Sequence, residues 1–294
     1  MDYKVLLFYK YVKIENPELF REEQLKFCEE NEILGRIYIA EEGINATVSG
    51  NAENIEKYKL NLWADERFDD VVFKEDPSDE HAFRKLIVRI KKEIVNSGGI
   101  KADPELGGKR LKPENLQKMY ENNEDFIIVD ARNDYEFKIG HFKNALKPNV
   151  TNFREWPRFV EELKDYKDKK VVAYCTGGIR CEKATAYMVQ AGFKDVYQLE
   201  GGIVSYTKKF PDQNWEGSIF VFDERRIISP NSRESLKHTA ECYYCGKPAS
   251  YYINCHNQNC DKLMITCNNC KEENGYCCSE ECRNSPNKRK IYHG

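Results

Sequence analysis

The sequence predicts a multidomain protein that combines an α+β domain, an α/β domain and a cysteine-rich C-terminal segment. Three observations support this fold class. At 294 residues, the chain is longer than the roughly 100–150 residues of a usual single domain. Strands and helices follow different orders in its first and middle parts, which indicates two separate cores. Nine of the twelve cysteines crowd between Cys242 and Cys282, in a stretch with too little apolar material for its own core.

The overall composition is that of a globular protein. Hydrophobic residues make up 40% and charged residues 32% of the chain, which excludes a disordered protein. The formal net charge of −3 argues against a uniformly basic nucleic-acid binder but allows local basic patches. The start of the chain lacks the long apolar run of a secretory signal or membrane span. We therefore expect a cytoplasmic protein with no membrane contact, whose cysteines are thiols, metal ligands or catalytic groups.

Residues 1–95 are predicted to form a ferredoxin-like (acylphosphatase-like) domain. A first strand, an amphipathic helix, strands at 36–40 and 46–49, a second helix and a final strand-like run follow the order β-α-β-β-α-β. A turn that contains Gly43 and Asn45 is expected to separate the two middle strands. The basic and aromatic residues of this domain are candidates for RNA contacts. Because charge runs are usually solvated faces, we assign none of them a binding role.

The rest of the chain divides into a linker, a second domain and an extension. Residues 96–114 are rich in Gly, Pro and charge, which predicts a linker. In residues 115–215, apolar strands alternate with helices, which is typical of a parallel sheet covered on both faces. Residues 216–294 are predicted to be a C-terminal extension with a cysteine-rich module at 241–283.

The second domain contains the strongest candidate for a catalytic site. An apolar strand ends at Cys175, and reactive groups in open α/β sheets collect at the carboxyl ends of strands. The glycines that follow let backbone N–H groups point at the sulfur, and the next helix and Arg180 add positive charge. These effects lower the pKa of a thiol and predict a sulfur nucleophile. The predicted catalytic residues are Cys175 and Arg180, and the loop between them comprises Thr176, Gly177, Gly178 and Ile179.

A second cysteine, Cys181, lies six positions after Cys175 in the first turn of the helix. It is a candidate resolving thiol that would form a disulfide with Cys175. The alternative is a small residue that only packs in the helix interface, since cysteine is often buried.

The C-terminal cysteines form four closely spaced pairs, which predict two structural zinc ions. Four thiolates in a tetrahedron are a usual zinc site, and an iron–sulfur cluster, which uses the same thiolates, is the alternative. We expect the first and third pairs to share one ion and the second and fourth pairs the other. The predicted ligands are Cys242, Cys245, Cys267 and Cys270 for one ion, and Cys255, Cys260, Cys278 and Cys282 for the other. Cys277 is an alternative to Cys278.

The region around Cys175 resembles the rhodanese family, whose loop reads Cys-x-x-Gly-x-Arg or Thr and carries a persulfide. Cys175, Gly178 and Arg180 match this loop, and the upstream stretch FIIVDARNDYEFKIGHFKNA matches a second rhodanese signature. In related phosphatases the loop is one residue longer, because it must hold a phosphate. Four residues separate Cys175 from Arg180 here, which disfavours a phosphatase.

The chain as a whole is similar to the bacterial oxygen-dependent tRNA uridine hydroxylases. The motifs that carry the similarity are FYKYV, EEGINATVSG, YCTGGIRCEKA and the cysteine-rich end, in this order. The resemblance implies tRNA as the partner, the conversion of its wobble uridine, position thirty-four, to 5-hydroxyuridine, molecular oxygen as cosubstrate and Cys175 as the catalyst.

The residues themselves support sulfur transfer better than hydroxylation. No flavin or nicotinamide site is identified in the sequence, zinc does not change its redox state, and the electron or sulfur donor is unknown. Two alternatives to the hydroxylase therefore stay open. One is a persulfide-carrying sulfurtransferase of the rhodanese type, and the other is a zinc-dependent RNA-binding adaptor.

Overall fold

The computed structural model describes residues 2–147, 149–231 and 235–290. Its first domain is a five-stranded sheet with the strand order β4-β1-β3-β2-β5. Strand β5 runs parallel to β2, and the other neighbours are antiparallel. The elements are β1 (Tyr3–Tyr11), α1 (Pro17–Glu30), β2 (Leu34–Ala40), β3 (Gly43–Asn51), α2 (Ala52–Trp63), β4 (Lys74–Ser78) and β5 (Leu86–Ile90).

This domain differs from the prediction at two points. Strand β4 was missed because its sequence, KEDPS, is polar and contains a proline, so the strand-like run after it is the fifth strand of the domain and not the fourth. Gly43 and Asn45 lie within β3, where Gly43 pairs with Tyr11, and the turn shortens to Glu41 and Glu42. Gly43 is required there, since a Cβ atom would lie 2.0 Å from the carbonyl oxygen of Lys10.

The two faces of the first sheet have different roles. Side chains alternate between the faces of a strand, so Leu6 and Phe8 of β1 pack into the apolar core with α1 and α2. Leu7 and Tyr9 point to the other face, which carries no helix of this domain. That open face lies against the second domain.

The second domain is a four-stranded parallel sheet with the order β6-β10-β9-β7 and an apolar cluster on each face. The predicted fold class is confirmed. The linker prediction for residues 96–114 is wrong in its second half, because Lys109–Leu111 pair with β10; three residues are too few to show periodicity. The elements are β6 (Lys109–Leu111), α3 (Pro113–Glu121), β7 (Ile127–Asp130), α4 (Asp134–Ile139), β8 (Gly140–Phe142), α5 (Trp156–Glu162), β9 (Lys170–Tyr174), α6 (Ile179–Gln190), β10 (Asp195–Leu199) and α7 (Gly202–Lys209).

The C-terminal part consists of short hairpins that pack onto the second domain. Strand β11 pairs with β8, and an apolar cluster joins Ile139 and Phe220 to Ile265 of the cysteine-rich module. The elements are β11 (Trp215–Gly217), β12 (Ile219–Phe220), β13 (Ile227–Ile228), β14 (Ala240–Glu241), β15 (Pro248–Ala249), β16 (Tyr251–Asn254), β17 (Leu263–Thr266), α8 (Asn268–Glu273) and α9 (Glu280–Asn284). Within the described ranges, none of the helices has the length and apolar character needed to cross a membrane.

Candidate active site

Cys175 lies directly after the central strand β9, at the base of a tight loop. Its side chain is fully buried, and the Gly178 N–H donates a hydrogen bond to its sulfur over 3.1 Å. Gly178 has a φ of +106° and is the last residue before α6, which begins at Ile179. The loop therefore turns as the glycines predict, with a backbone donor aimed at the sulfur.

The loop is held from below by the start of α7. The N–H groups of Ile203 and Val204 donate to the carbonyl oxygens of Cys175 and Thr176 over 3.0 and 3.2 Å. Gly202, with a φ of +65°, makes this approach possible, since a Cβ atom there would lie 2.4 Å from the Cys175 carbonyl oxygen. The backbone on both sides of the sulfur is thus fixed by two glycine-dependent turns.

The open face of the first domain covers the loop from above. A Cβ atom on Gly177 would lie 2.9 Å from the Leu7 side chain, and one on Gly178 would lie 2.9 Å from the Tyr9 hydroxyl. Any side chain at these two glycines would displace Leu7 or Tyr9, so the glycines allow close packing between the domains as well as the turn. Sequence reasoning predicted only the turn, because contact between distant segments leaves no local pattern.

The Arg180 guanidinium is bound to a buried carboxylate. It forms a two-pronged ion pair with buried Glu136, with N–O distances of 2.7 and 2.9 Å, and lies 3.4 Å from the Thr176 hydroxyl. Burial raises the pKa of Glu136, but Arg180 and neighbouring donors outweigh it and hold the pKa below its usual value. Glu136 was not a predicted site residue, although it belongs to the upstream stretch that matches the second rhodanese signature. In the structure it also forms a capping box with Asn133 at the start of α4.

The surroundings of Cys175 favour its thiolate form. Burial alone raises the pKa of a thiol, but the Cys181 thiol, the Arg180 charge and the backbone N–H groups of Cys181 and Gly178 lower the pKa of Cys175 to about 6. Burial and the neighbouring Cys175 raise the pKa of Cys181 well above its usual value. The lowered pKa of Cys175 and the raised pKa of Cys181 favour the thiolate form at Cys175 and the thiol form at Cys181.

A cleft of about 790 Å³ opens over the loop, between the first domain, the second domain and the turn after β12. Cavities of roughly 300–1,000 Å³ are typical of small-ligand sites, so the cleft has the size of such a site. The walls combine the predicted loop with residues that sequence reasoning did not assign. From the predicted loop come Cys175, Thr176, Gly177, Ile179 and Arg180; from the first domain come, among others, Leu7, Tyr9, Tyr38, Asn45, Thr47 and Lys74.

Buried polar contacts join α6 to the first domain beside this cleft. The Tyr9 hydroxyl donates to Glu182 over 2.8 Å, and Glu182 also accepts from Arg110 and Gln198. Next along the helix, buried Lys183 forms an ion pair with Glu42 of the first domain over 2.8 Å. The helix that begins in the active-site loop is thus fixed to both domains.

Lys74, on the edge strand β4, adds a cation to the cleft. Its Nζ lies 5.3 Å from the centre of the Tyr9 ring, and among the described residues no carboxylate pairs with it. Burial lowers the pKa of Lys74 to about 8, although the charges of Cys175 and Glu182 oppose the shift. The ammonium is therefore available to an anionic group in the cleft.

The C-terminal cysteines form two clusters that could hold metal ions. In each cluster the four sulfurs lie within 4.8 Å of one another. Backbone N–H groups of Cys267 and Cys278 donate to sulfurs of Cys242 and Cys255 over 3.3 and 3.5 Å. Cys277 belongs to neither cluster. The members are Cys242, Cys245, Cys267 and Cys270 in one cluster, and Cys255, Cys260, Cys278 and Cys282 in the other.

Comparisons with known proteins agree with this architecture. Three family models match in succession: a UPF0176 acylphosphatase like domain at residues 3–94, a rhodanese-like domain at 112–209 and a rhodanase C-terminal model at 216–283. A Bacillus velezensis protein named tRNA uridine(34) hydroxylase is 47% identical over 99% of this chain and 91% of its own. Proteins of the same name from Staphylococcus carnosus and Bacillus cereus are 46% and 44% identical, covering 95% and 98% of this chain and 90% and 92% of theirs.

Proposed function

The chain belongs to the tRNA uridine(34) hydroxylase family, and we propose that it hydroxylates uridine 34 of tRNA to 5-hydroxyuridine with Cys175 as the catalytic residue. The family membership favours this function over the sulfurtransferase and adaptor alternatives. The single structural observation that supports the role of Cys175 is its position, as a thiolate at the end of β9, in the wall of a cleft large enough for a nucleotide.

The chemistry that this site can offer is nucleophilic. A thiolate can add to C6 of a uracil ring, and the negative charge that then develops extends to C5, the carbon that receives the hydroxyl group. In the proposed reaction, molecular oxygen supplies that hydroxyl oxygen, and loss of the C5 proton with cleavage of the S–C6 bond then restores the C5=C6 double bond and releases the Cys175 thiolate. The other oxygen atom becomes water, which consumes two electrons and two protons, so a reductant is also required.

The thiol of Cys181 has a second proposed role beside the sulfur of Cys175. It donates a hydrogen bond that stabilises the thiolate, as its raised pKa keeps it protonated at neutral pH. Its participation as a resolving thiol stays a prediction, as does a persulfide on Cys175.

We also propose that the two cysteine clusters hold structural zinc. Around an ion with Zn–S bonds of about 2.3 Å, tetrahedral geometry separates the sulfurs by about 3.8 Å. The sulfurs of Cys245 and Cys267 lie 3.9 Å apart, and Cys278 lies 3.6 Å from both Cys260 and Cys282, which fits that geometry. Closed sites of four thiolates hold hairpins together and bind no substrate. Since the substrate is tRNA, we place the enzyme in the cytoplasm.

Nucleoside mass spectrometry of unmodified tRNA transcripts tests the proposed reaction. Wild-type protein with a thiol reductant is expected to produce 5-hydroxyuridine in air and none without oxygen, and Cys175→Ala is expected to produce none under either condition. Cys28→Ala, which alters a buried cysteine of the first domain, is the control and keeps activity. A thiolated nucleoside would identify a sulfurtransferase instead, and full activity of Cys175→Ala would exclude Cys175 as the catalyst.

A further inference from the structure

We propose that Phe222 is a stacking platform for the target uracil, an inference that rests on the proposed tRNA substrate. Phe222 lines the same cleft as Cys175, and 43% of its surface is exposed. A large apolar side chain is normally buried, and an exposed one inside a catalytic cleft is available to a flat, apolar ligand surface. The ring of a nucleobase is such a surface.

The backbone that carries Phe222 is rigid and is tied to the first domain. In the turn between β12 and β13, buried Asp223 accepts hydrogen bonds from the N–H and guanidinium of Arg225 over 2.7–3.0 Å. The Glu224 N–H donates to the Ala82 carbonyl over 2.9 Å, and Arg36 donates to the Phe222 carbonyl over 3.1 Å. A platform fixed in this way loses little conformational freedom on binding.

The Phe222 ring also lies next to the loop that contains Cys175. The Phe220 and Phe222 rings pack in a T-shaped arrangement, with ring centres 4.8 Å apart, and the Arg180 guanidinium carbon lies over one face of the Phe222 ring, 5.7 Å from its centre. Arg180 belongs to the loop that presents Cys175. Because Phe222 and Cys175 line the same cleft, a base on the other face of this ring lies in the compartment that contains the sulfur.

The charges around the cleft favour a nucleotide over an uncharged apolar ligand. Seven of the lining residues are Lys or Arg and three are Asp or Glu. Two exposed cations of the cleft, Lys92 and Arg154, pair with no carboxylate among the described residues, and Lys91 lies over the Tyr38 ring. Single-stranded RNA sites combine such cations, which bind phosphates, with aromatic rings that stack on bases.

Binding and cross-linking to a stem-loop RNA test this inference directly. The probe carries the anticodon loop with 5-bromouridine in place of uridine 34, and the full-length protein is used without oxygen. Phe222→Ala is expected to raise the Kd roughly tenfold or more, because one base stack is lost. Phe222→Tyr retains a ring and is expected to bind as the wild type does. Leu60→Ala serves as the matched control. It removes an exposed side chain of α2, which packs on the face of the first sheet that points away from the cleft.

Photocrosslinking of the unaltered protein gives a second readout that does not depend on any variant. Irradiation is expected to attach the bromouracil to the peptide that contains Phe222, as identified by mass spectrometry. A Kd of Phe222→Ala within about twofold of wild type, or cross-links only to other peptides, overturns the inference. Because neither readout requires turnover, they decide the role of Phe222 even if the protein forms no 5-hydroxyuridine, and loss of the stack leaves the role of Cys175 intact.

Discussion

At the scale of single residues, the reactivity of Cys175 depends on a balance between burial and nearby donors and charges. The Arg180 charge, which lowers the pKa of Cys175, is shared with Glu136, so its effect on the sulfur is smaller than that of an unpaired arginine. The pair is therefore one of the factors that act on the pKa of Cys175. Changes to its two members act on that pKa in opposite directions.

Glu136→Gln and Arg180→Gln are expected to shift the pKa of Cys175 in opposite directions. Without the Glu136 carboxylate, the Arg180 charge is uncompensated and the pKa of Cys175 falls below about 6; without the guanidinium it rises. The measurement is the pH dependence of Cys175 alkylation, resolved by peptide mass spectrometry. Glu53→Gln breaks an exposed ion pair with Lys57 and is the control.

Both site variants are also expected to lose stability, because breaking a buried ion pair costs about 3–5 kcal/mol. The alkylation is therefore measured at a temperature where circular dichroism shows folded protein. Shifts of the same sign in both variants would contradict the role of this pair.

At the scale of elements, the start of α7 determines the path of the active-site loop. Gly202→Ala places a methyl group against two carbonyl oxygens of the loop, 2.4 and 2.6 Å from its Cβ. It is expected to abolish 5-hydroxyuridine formation and to lower the free energy of unfolding. Gly275→Ala is the matched control, since Gly275 has a similar φ of +56° but no atom within 4 Å of the added Cβ.

The control isolates the backbone cost of a left-handed alanine, about 1–2 kcal/mol. Denaturant unfolding and the activity assay are compared for the two variants. An equal loss of stability in both, with activity kept in Gly202→Ala, would show that the contact with the loop does not matter.

The two clusters of cysteine pairs are also features of this scale. Metal analysis of the purified protein tests whether they hold zinc. We expect two zinc ions per chain, one lost in Cys245→Ser and the other in Cys278→Ser. Cys277→Ala is expected to keep both ions, because Cys277 lies outside both clusters. If Cys277→Ala lost one zinc ion and Cys278→Ser kept both, Cys277 and not Cys278 would be the zinc ligand.

The elements that could be predicted from the sequence are those with a strong local pattern. Strand β9, helix α6 and the four cysteine pairs each carry their own periodicity or spacing, and the fold class followed from them. Strands β4 and β6 are short or polar and are defined only by their partners. Phe222 and Lys74 likewise join the site through contacts between segments distant in sequence, which no local pattern records.

At the scale of the whole molecule, all three parts of the chain build one cleft. The second domain supplies Cys175, the first domain supplies Lys74 and the C-terminal part supplies Phe222. Tyr9 and Glu42 tie the first domain to the helix behind the catalytic loop. The pH dependence of activity should therefore combine groups from different domains.

We expect kcat/KM to be highest between about pH 6 and pH 8. Below this range Cys175 gains a proton, since its pKa is about 6; above it Lys74 loses its charge, since its pKa is about 8. Cys175 and Glu182 favour the charged ammonium, while Arg110 and Lys208 oppose it. The result is a bell-shaped profile. Its acidic limb reflects the titration of Cys175 in the second domain, and its alkaline limb reflects the titration of Lys74 in the first domain.

Substitutions of Lys74 separate the two limbs. Lys74→Arg keeps a cation that does not titrate in this range, so the alkaline limb is expected to disappear while the acidic limb stays near pH 6. Lys74→Met removes the charge and is expected to lower kcat/KM roughly tenfold or more, the effect of losing a charged contact to the substrate. Lys26→Met, on the exposed side of α1, is the control and keeps the full profile. An alkaline limb that persists in Lys74→Arg would assign that limb to another group and leave Lys74 without a role in the charge of the cleft.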